Sequence, residues 1–311
     1  MHWNREMSDL VLAVYSITLI MGLPANLLAF YTFVRKVRRD AKPIDVLLLS
    51  LNISDLIFLF FLPFHMKEAA DMKWNFTHFF CAMSMFIFFT AIYNNTFILT
   101  AISVERYLGV AFPIKYKIKR NPRNAVITSF IFLVISMGHC SVVFIVQYWI
   151  PTNSTTQEQL TQNACYVEFS KEQLKVLMPV RLELFLVLFC IPFLICCFCY
   201  INFILILSRL SNISPKKRFR AIGLALATLL VFTICFMPYS VSHLVGFIEW
   251  HSPHWREYAL LTSTFNASLD PFIFYFSSSA LRETLKLCTQ GLLKRLSCYP
   301  KALYSQSSTD Q

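Results

Sequence analysis

A chain of 311 residues that is 56% hydrophobic and only 14% charged cannot cover a soluble domain, whose surface needs about a quarter of its residues charged. The formal charge of +11, from 28 Lys and Arg against 17 Asp and Glu, would point to nucleic acid in a soluble protein. Here the basic residues lie in short loops between apolar runs, so no nucleic acid partner is implied and lipid is the natural solvent for much of the surface.

A helix needs about 20 apolar residues to cross a hydrocarbon layer of roughly 30 Å. Seven stretches qualify, at about 10–34, 44–66, 79–104, 125–149, 177–207, 221–247 and 257–277. The expected fold is all-α, a seven-transmembrane helix bundle forming a single domain over 1–311 with an outer N-tail at 1–9. The first, fourth and sixth stretches carry no Asp, Glu, Lys or Arg. The first is too long for a signal-peptide core and lacks a small-residue cleavage site, so it reads as a retained span.

Orientation follows from the basic loops. Arg35, Lys36, Arg38, Arg39 and Lys42 follow span one, and Arg106, Lys115, Lys117, Lys119, Arg120 and Arg123 follow span three. Arg209, Lys216, Lys217, Arg218 and Arg220 follow span five, and Arg282, Lys286, Lys294, Arg295 and Lys301 follow span seven. Together they hold 21 of the 28 basic residues, which predicts a plasma-membrane protein with its N-terminus outside and its C-terminus in the cytoplasm. The same clusters suit anionic inner-leaflet lipid.

The longest outer loop, about 150–176, is polar, and the inner loop near 208–219 is short and basic. The tail over 278–311 begins with Leu281, Leu285 and Leu292 at helical spacing beside basic residues, an amphipathic helix for the membrane surface, with Cys288 and Cys298 as palmitoylation candidates. Of ten cysteines, only Cys81 and Cys165 face the oxidising side, so a disulfide between them is expected to pin the outer loop over the bundle. Two outer sequons, at Asn75 and Asn153, are available for glycosylation, and Asn153 lies farther from the bilayer.

Motifs then accumulate in a fixed order. Asn26 lies in span one, Asp55 in span two, and Glu105-Arg106-Tyr107 ends span three. Pro192 and Tyr200 lie in span five, Cys235-Phe-Met-Pro238 in span six, and Asn266-Ala-Ser-Leu-Asp270-Pro271 in span seven. The set resembles the rhodopsin-like (class A) G protein-coupled receptors over nearly the whole chain. The departures are Leu133 in place of the usual Trp of span four, Phe236 in place of the usual Trp of span six, and Asp-Pro-x-x-Phe-Tyr in span seven. The stretches ISVERYLGVAFP, MPVRLEL, CFMPYSVSHLVGF and NASLDPFIFYFSSS are further similar to the short-chain free fatty acid receptors. That resemblance implies a receptor activated by acetate, propionate or butyrate, coupling to Gi/Go or Gq type G proteins, with arrestin as a further partner.

The chemistry of the residues agrees. Arg181 sits inside a span, and a charge there is a functional signal because inserting it into lipid is costly. Counting along the spans places Tyr93, His139, His243 and Tyr239 in the outer half, and Arg256 opens span seven. With Arg181 they form a candidate ligand set. The planar guanidinium fork matches a carboxylate and stays charged. Glu168 in the outer loop competes for an arginine before ligand arrives, whereas Glu183 lies on a different helical face from Arg181. His139 and Tyr93 read equally well as core residues. Phe89, Val143 and Val180 are candidates to limit acyl length.

Deeper in the bundle, Asp55, Asn95, Asn266 and Asp270 are expected to cluster, either around a sodium ion or as a network with Asp55 protonated. At the inner end the resemblance implies that Glu105 and Arg106 pair in the resting receptor and that Arg106, with Tyr107 and Tyr200, turns toward the G protein on activation. No other cofactor and no catalytic set is implied. Span seven has no lysine for retinal, no paired broken helices suggest a repeat transporter, and no nucleophile–base set suggests an enzyme. The nearest rival is a receptor for another anion, such as a longer fatty acid, a hydroxy acid or a lipid phosphate.

Overall fold

The computed structural model describes residues 5–150, 165–166, 169–210, 213–287 and 289–290. Asn153, Glu168, Leu292, Cys288 and Cys298 lie outside the described residues. Span one is Arg5–Arg39, span two Pro43–Asp71, span three His78–Ala111 and span six Pro215–Glu249. Span four runs Pro122–Trp149 and ends in the wide π turns of Ile145–Trp149. Span five runs Lys171–Arg209, interrupted by a π stretch at Leu184–Cys190. Six described helices are long and apolar enough to cross a membrane. The seventh crossing is made in two pieces, Arg256–Thr264 and Asn266–Ser277, joined at Phe265. A further helix occupies 279–287.

The helices run past the apolar stretches at most of their ends. Charge ends an apolar run without ending a helix, and Arg35, Lys36, Arg38 and Arg39 are good helix formers that carry span one into the headgroup zone. Caps set the true ends. Thr77 accepts from the Phe80 amide at the start of span three, and Ser170 and Gln173 form a reciprocal capping box at the start of span five. Pro43, Pro122 and Pro215 stand in the first helical turn, where the missing N–H has no partner to lose.

Packing follows the solvent. Large apolar side chains such as Ile20, Phe60, Phe130 and Leu194 point outward, as lipid allows. Buried polar groups bind the spans inside: Asn52 donates to Asn26 Oδ1 at 2.7 Å, and Asn26 donates to the Ala267 carbonyl at 2.7 Å. Gly22 permits that contact, because a Cβ there would stand 3.2 Å from the Ala267 oxygen. Cys81 and Cys165 are disulfide-bonded, which anchors the outer loop to the top of span three.

Candidate functional site

The outer ends of spans three to seven enclose a cavity of about 20 Å³. By the usual measure that is room for about one water molecule. Arg181, Arg256, His243, Tyr239 and Tyr93 all line it. Arg256 Nη2 donates to Tyr239 Oη at 2.6 Å, and Nη1 lies 3.1 Å from His243 Nδ1. Because a guanidinium has no acceptor, His243 Nδ1 must be the lone-pair nitrogen and Nε2 the N–H, which therefore donates to Tyr93 Oη at 2.8 Å. The Arg256 guanidinium also covers the Tyr239 ring at 4.7 Å. Spans three, six and seven are thus tied at the cavity by one chain of polar contacts.

Arg181 enters from span five and is 1% exposed. Its Nη1 donates to Ser252 Oγ at 2.8 Å, while Nε and Nη2 have no hydrogen-bond partner among the described residues. Its guanidinium lies 5.5 Å from the Phe169 ring. Ser252 can approach because Gly246 leaves space: a Cβ there would meet the His251 oxygen at 3.2 Å and Arg181 Nη1 at 3.8 Å. The π stretch begins three residues beyond Arg181, just ahead of Pro192, which has no N–H to return to the preceding turn. Wide turns of this kind change the angular register between the two halves of a helix and recur at functional sites.

His139 does not join this set. It lies 3.0 Å from Glu183 and is partly exposed, outside the cavity lining. The same contact removes Glu183 as a partner for Arg181. Val180 is also absent from the lining, whereas Phe89 and Val143 are present. Tyr166, Ser252, Val142 and Leu184 were not anticipated. The signal for Tyr166 was its place beside Cys165, since the disulfide holds it over the cavity. Burial pushes the Tyr166 hydroxyl above the usual tyrosine range, with the Arg181 charge opposing, so it remains a neutral hydrogen-bond donor. Phe89 stacks parallel on Tyr239 at 6.0 Å, forming a flat wall.

Below the cavity the four polar residues form two hydrogen-bonded pairs. Asn95 donates to Asp55 Oδ1 at 2.7 Å and Asn266 donates to Asp270 Oδ2 at 2.8 Å. Asp55 and Asp270 are both fully buried, and two carboxylates held in one apolar interior repel unless a proton or a cation neutralises them. Asp55 Oδ2, Asn95 Oδ1, Asn266 Oδ1 and Asp270 Oδ1 have no hydrogen-bond partner among the described residues. Four spare oxygens and no sulfur or imidazole make a donor set suited to a hard cation such as sodium.

At the inner end the expected Glu105–Arg106 pair is absent among the described residues. Arg106 instead donates to Tyr200 Oη and Thr228 Oγ1, each at 3.1 Å, and to Ser277 Oγ at 2.8 Å, joining spans three, five, six and seven. Glu105 accepts from Tyr116 Oη at 2.5 Å. Tyr116 stands on the short loop helix Pro113–Lys119, and burial together with the Glu105 carboxylate holds its hydroxyl well above the usual range. Arg106 is thereby free to reach other helices. Tyr107 packs edge-on against Phe112 and Phe198 and takes no part in the hub.

Comparison with known proteins adds an independent line. Residues 25–274 match the 7 transmembrane receptor (rhodopsin family). Free fatty acid receptor 3 of Mus musculus is 44% identical over 292 residues, covering 94% of this chain and 89% of the relative. Free fatty acid receptor 2 of Mus musculus is 47% identical over 279 residues, covering 89% and 84%. Lysophosphatidic acid receptor 6 of Homo sapiens is more distant, 25% identical over 296 residues, covering 88% and 82%.

Proposed function

The chain belongs to the rhodopsin family of seven-transmembrane receptors, and from that premise we propose that it senses short-chain carboxylates such as acetate, propionate and butyrate. It is a multi-pass plasma-membrane receptor and not an enzyme, linking a small-molecule ligand to a G protein. In our reading the N-terminus is outside, the tail is cytoplasmic, and the G protein is of the Gi/Go or Gq type, with arrestin as a later partner.

One observation carries the ligand class. Two guanidinium groups face a single small cavity, and no carboxylate of the described residues is bonded to either. Like charges in a low-dielectric space repel, and an anion between them relieves both. A carboxylate can take the two idle donors of Arg181, Nε and Nη2, and complete its contact set with Arg256, His243 and Tyr166. The relatives named as free fatty acid receptors support the same ligand. Glu168, in the outer loop, would hold an arginine while the site is empty.

Acetate has four heavy atoms, and even the best small ligands gain about −1.5 kcal/mol per atom. Binding is then limited to about −6 kcal/mol, a dissociation constant no tighter than tens of micromolar. A space of about 20 Å³ does not admit acetate unchanged. The cavity must widen as ligand enters, and the ligand favours the wider state by its affinity difference between the two. In the same reading, Asp55, Asn95, Asn266 and Asp270 hold sodium or share a proton, and Arg106 is the group that engages the G protein.

The test is nucleotide exchange in membranes carrying the full chain, titrated with acetate through hexanoate, a hydroxy acid and a lysophosphatidate. Acetate and propionate should respond at high micromolar to millimolar levels. Arg181→Ala and Arg256→Ala should each raise the half-effective concentration by more than about tenfold, the loss expected for a charge-assisted contact. An unchanged acetate response in the double variant would overturn the carboxylate clamp.

A further inference from the structure

Span four departs from the usual pattern at Leu133, and the departure has a counterpart on the lipid side of the bundle. Leu133 lines a pocket of about 480 Å³ between spans two, three and four. Drug-sized ligands occupy pockets of roughly 300–1,000 Å³. Leucine is smaller than tryptophan, so part of that room is space an indole would fill. The pocket shares no lining residue with the arginine cavity.

The mouth of the pocket is apolar and its floor is polar. Ile57 and Phe130 at the mouth are 46% and 65% exposed, which between two spans means exposed to lipid. Asn94 on the floor is 6% exposed. It stands about 24 Å along span three from His78, at 1.5 Å per residue, and so near the middle of the crossing. Its Oδ1 has no hydrogen-bond partner among the described residues, and neither has Ser129 Oγ beside it in the lining. A buried amide oxygen left without a donor is costly, and lipid tails supply none.

Charge and geometry narrow the occupant. No Asp, Glu, Lys, Arg or His lines the pocket, so an ion would lose its hydration with no opposite charge to meet it. The occupant is therefore neutral and arrives from the bilayer. The Asn94 side chain sets a second condition, because its oxygen accepts and the nitrogen on the same carbon donates. Another primary amide matches both with two parallel hydrogen bonds. A lone hydroxyl serves one of the two atoms, and an ester has no N–H for Oδ1. The remaining wall includes Phe86, Ile87 and Met137, apolar surface that suits an aliphatic chain.

We propose that this pocket is a second ligand site, entered from the bilayer and taking a long-chain primary amide, whose N–H donates to Asn94 Oδ1 and whose carbonyl accepts from Asn94 Nδ2. The site goes beyond the carboxylate clamp and does not require it. The probe is oleamide, titrated as a mole fraction of the lipid in nanodiscs carrying the full chain, without acetate, and read by thermal unfolding. N,N-dimethyloleamide, which has no N–H, and cholesterol serve as controls. Oleamide should raise the unfolding temperature to a plateau while the controls do not. Asn94→Leu removes both hydrogen bonds and Leu133→Trp fills the pocket. Each should raise the half-saturating mole fraction about tenfold, with the ligand-free transition of each variant showing that it is folded. Equal shifts from oleamide and its dimethyl analogue would overturn the site. So would unchanged half-saturation in both variants. A plateau from cholesterol alone would assign the pocket to a sterol and overturn the amide.

Discussion

His243 and His139 are the same side chain at similar depth, yet only His243 touches an arginine. It connects Tyr93 to Arg256, so its loss breaks two contacts inside a cavity that water barely enters. His139 holds Glu183 at a partly exposed position, where ion pairs contribute about 0–1 kcal/mol. In acetate dose–response measurements, His243→Ala should therefore shift potency by about tenfold or more, and His139→Ala by less than about threefold. Reversal of that order would remove His243 from the ligand set. Counting residues gave depth for both but could not choose between them. Span four is apolar on every side, so its pattern does not tell lipid from interior, and the side facing the cavity had to come from packing. Phe236, which occupies the usual Trp position, is buried against Phe232 at 5.4 Å and lines the polar cavity beneath.

Among the elements, the helical ends and interruptions decide what the residues can reach. The wide turns of span five lie between Arg181 and the inner half that carries Tyr200. They set the face that Arg181 presents independently of the face that Tyr200 presents, and no periodic pattern in the sequence announces them. Near Pro238 of span six, the Cys235 carbonyl accepts from Ser263 Oγ at 2.9 Å and Thr262 Oγ1 at 3.2 Å, which ties span six to span seven. The loop helix Pro113–Lys119 is short and basic, and it supplies the Tyr116 hydroxyl that occupies Glu105. Adjacent in sequence, Glu105 and Arg106 were expected to pair, but a phenol one loop away wins the carboxylate. Tyr116→Phe removes that competitor and lets Glu105 draw Arg106 back. Basal nucleotide exchange should fall by about two- to fivefold, the effect of a hydrogen bond of about 0.5–1 kcal/mol. An unchanged or higher basal rate would show that Tyr116 does not set the Arg106 equilibrium.

For the whole molecule, the spans and the order of motifs were legible because a bilayer permits few solutions: backbone groups must be satisfied within each crossing, and apolar length gives the crossings directly. Span seven was the least legible, since its two pieces of 9 and 12 residues are each too short to cross alone. The closeness of Arg181 and Arg256 was legible only as shared depth, because which helices are neighbours depends on packing. Charge supplies the remaining global property. The loops after spans one, three, five and seven hold 21 of 28 basic residues, and of the other seven, Arg181 and Arg256 line the cavity rather than a loop. The two sides thus differ by 21 basic residues against five, and such an asymmetry is the pattern expected when the basic side faces the cytoplasm. An epitope placed before Met1 should be stained on intact cells, and one placed after Gln311 only after permeabilisation. The opposite staining would put the arginine cavity on the cytoplasmic side, and with it would fall the reading of an extracellular carboxylate as the signal.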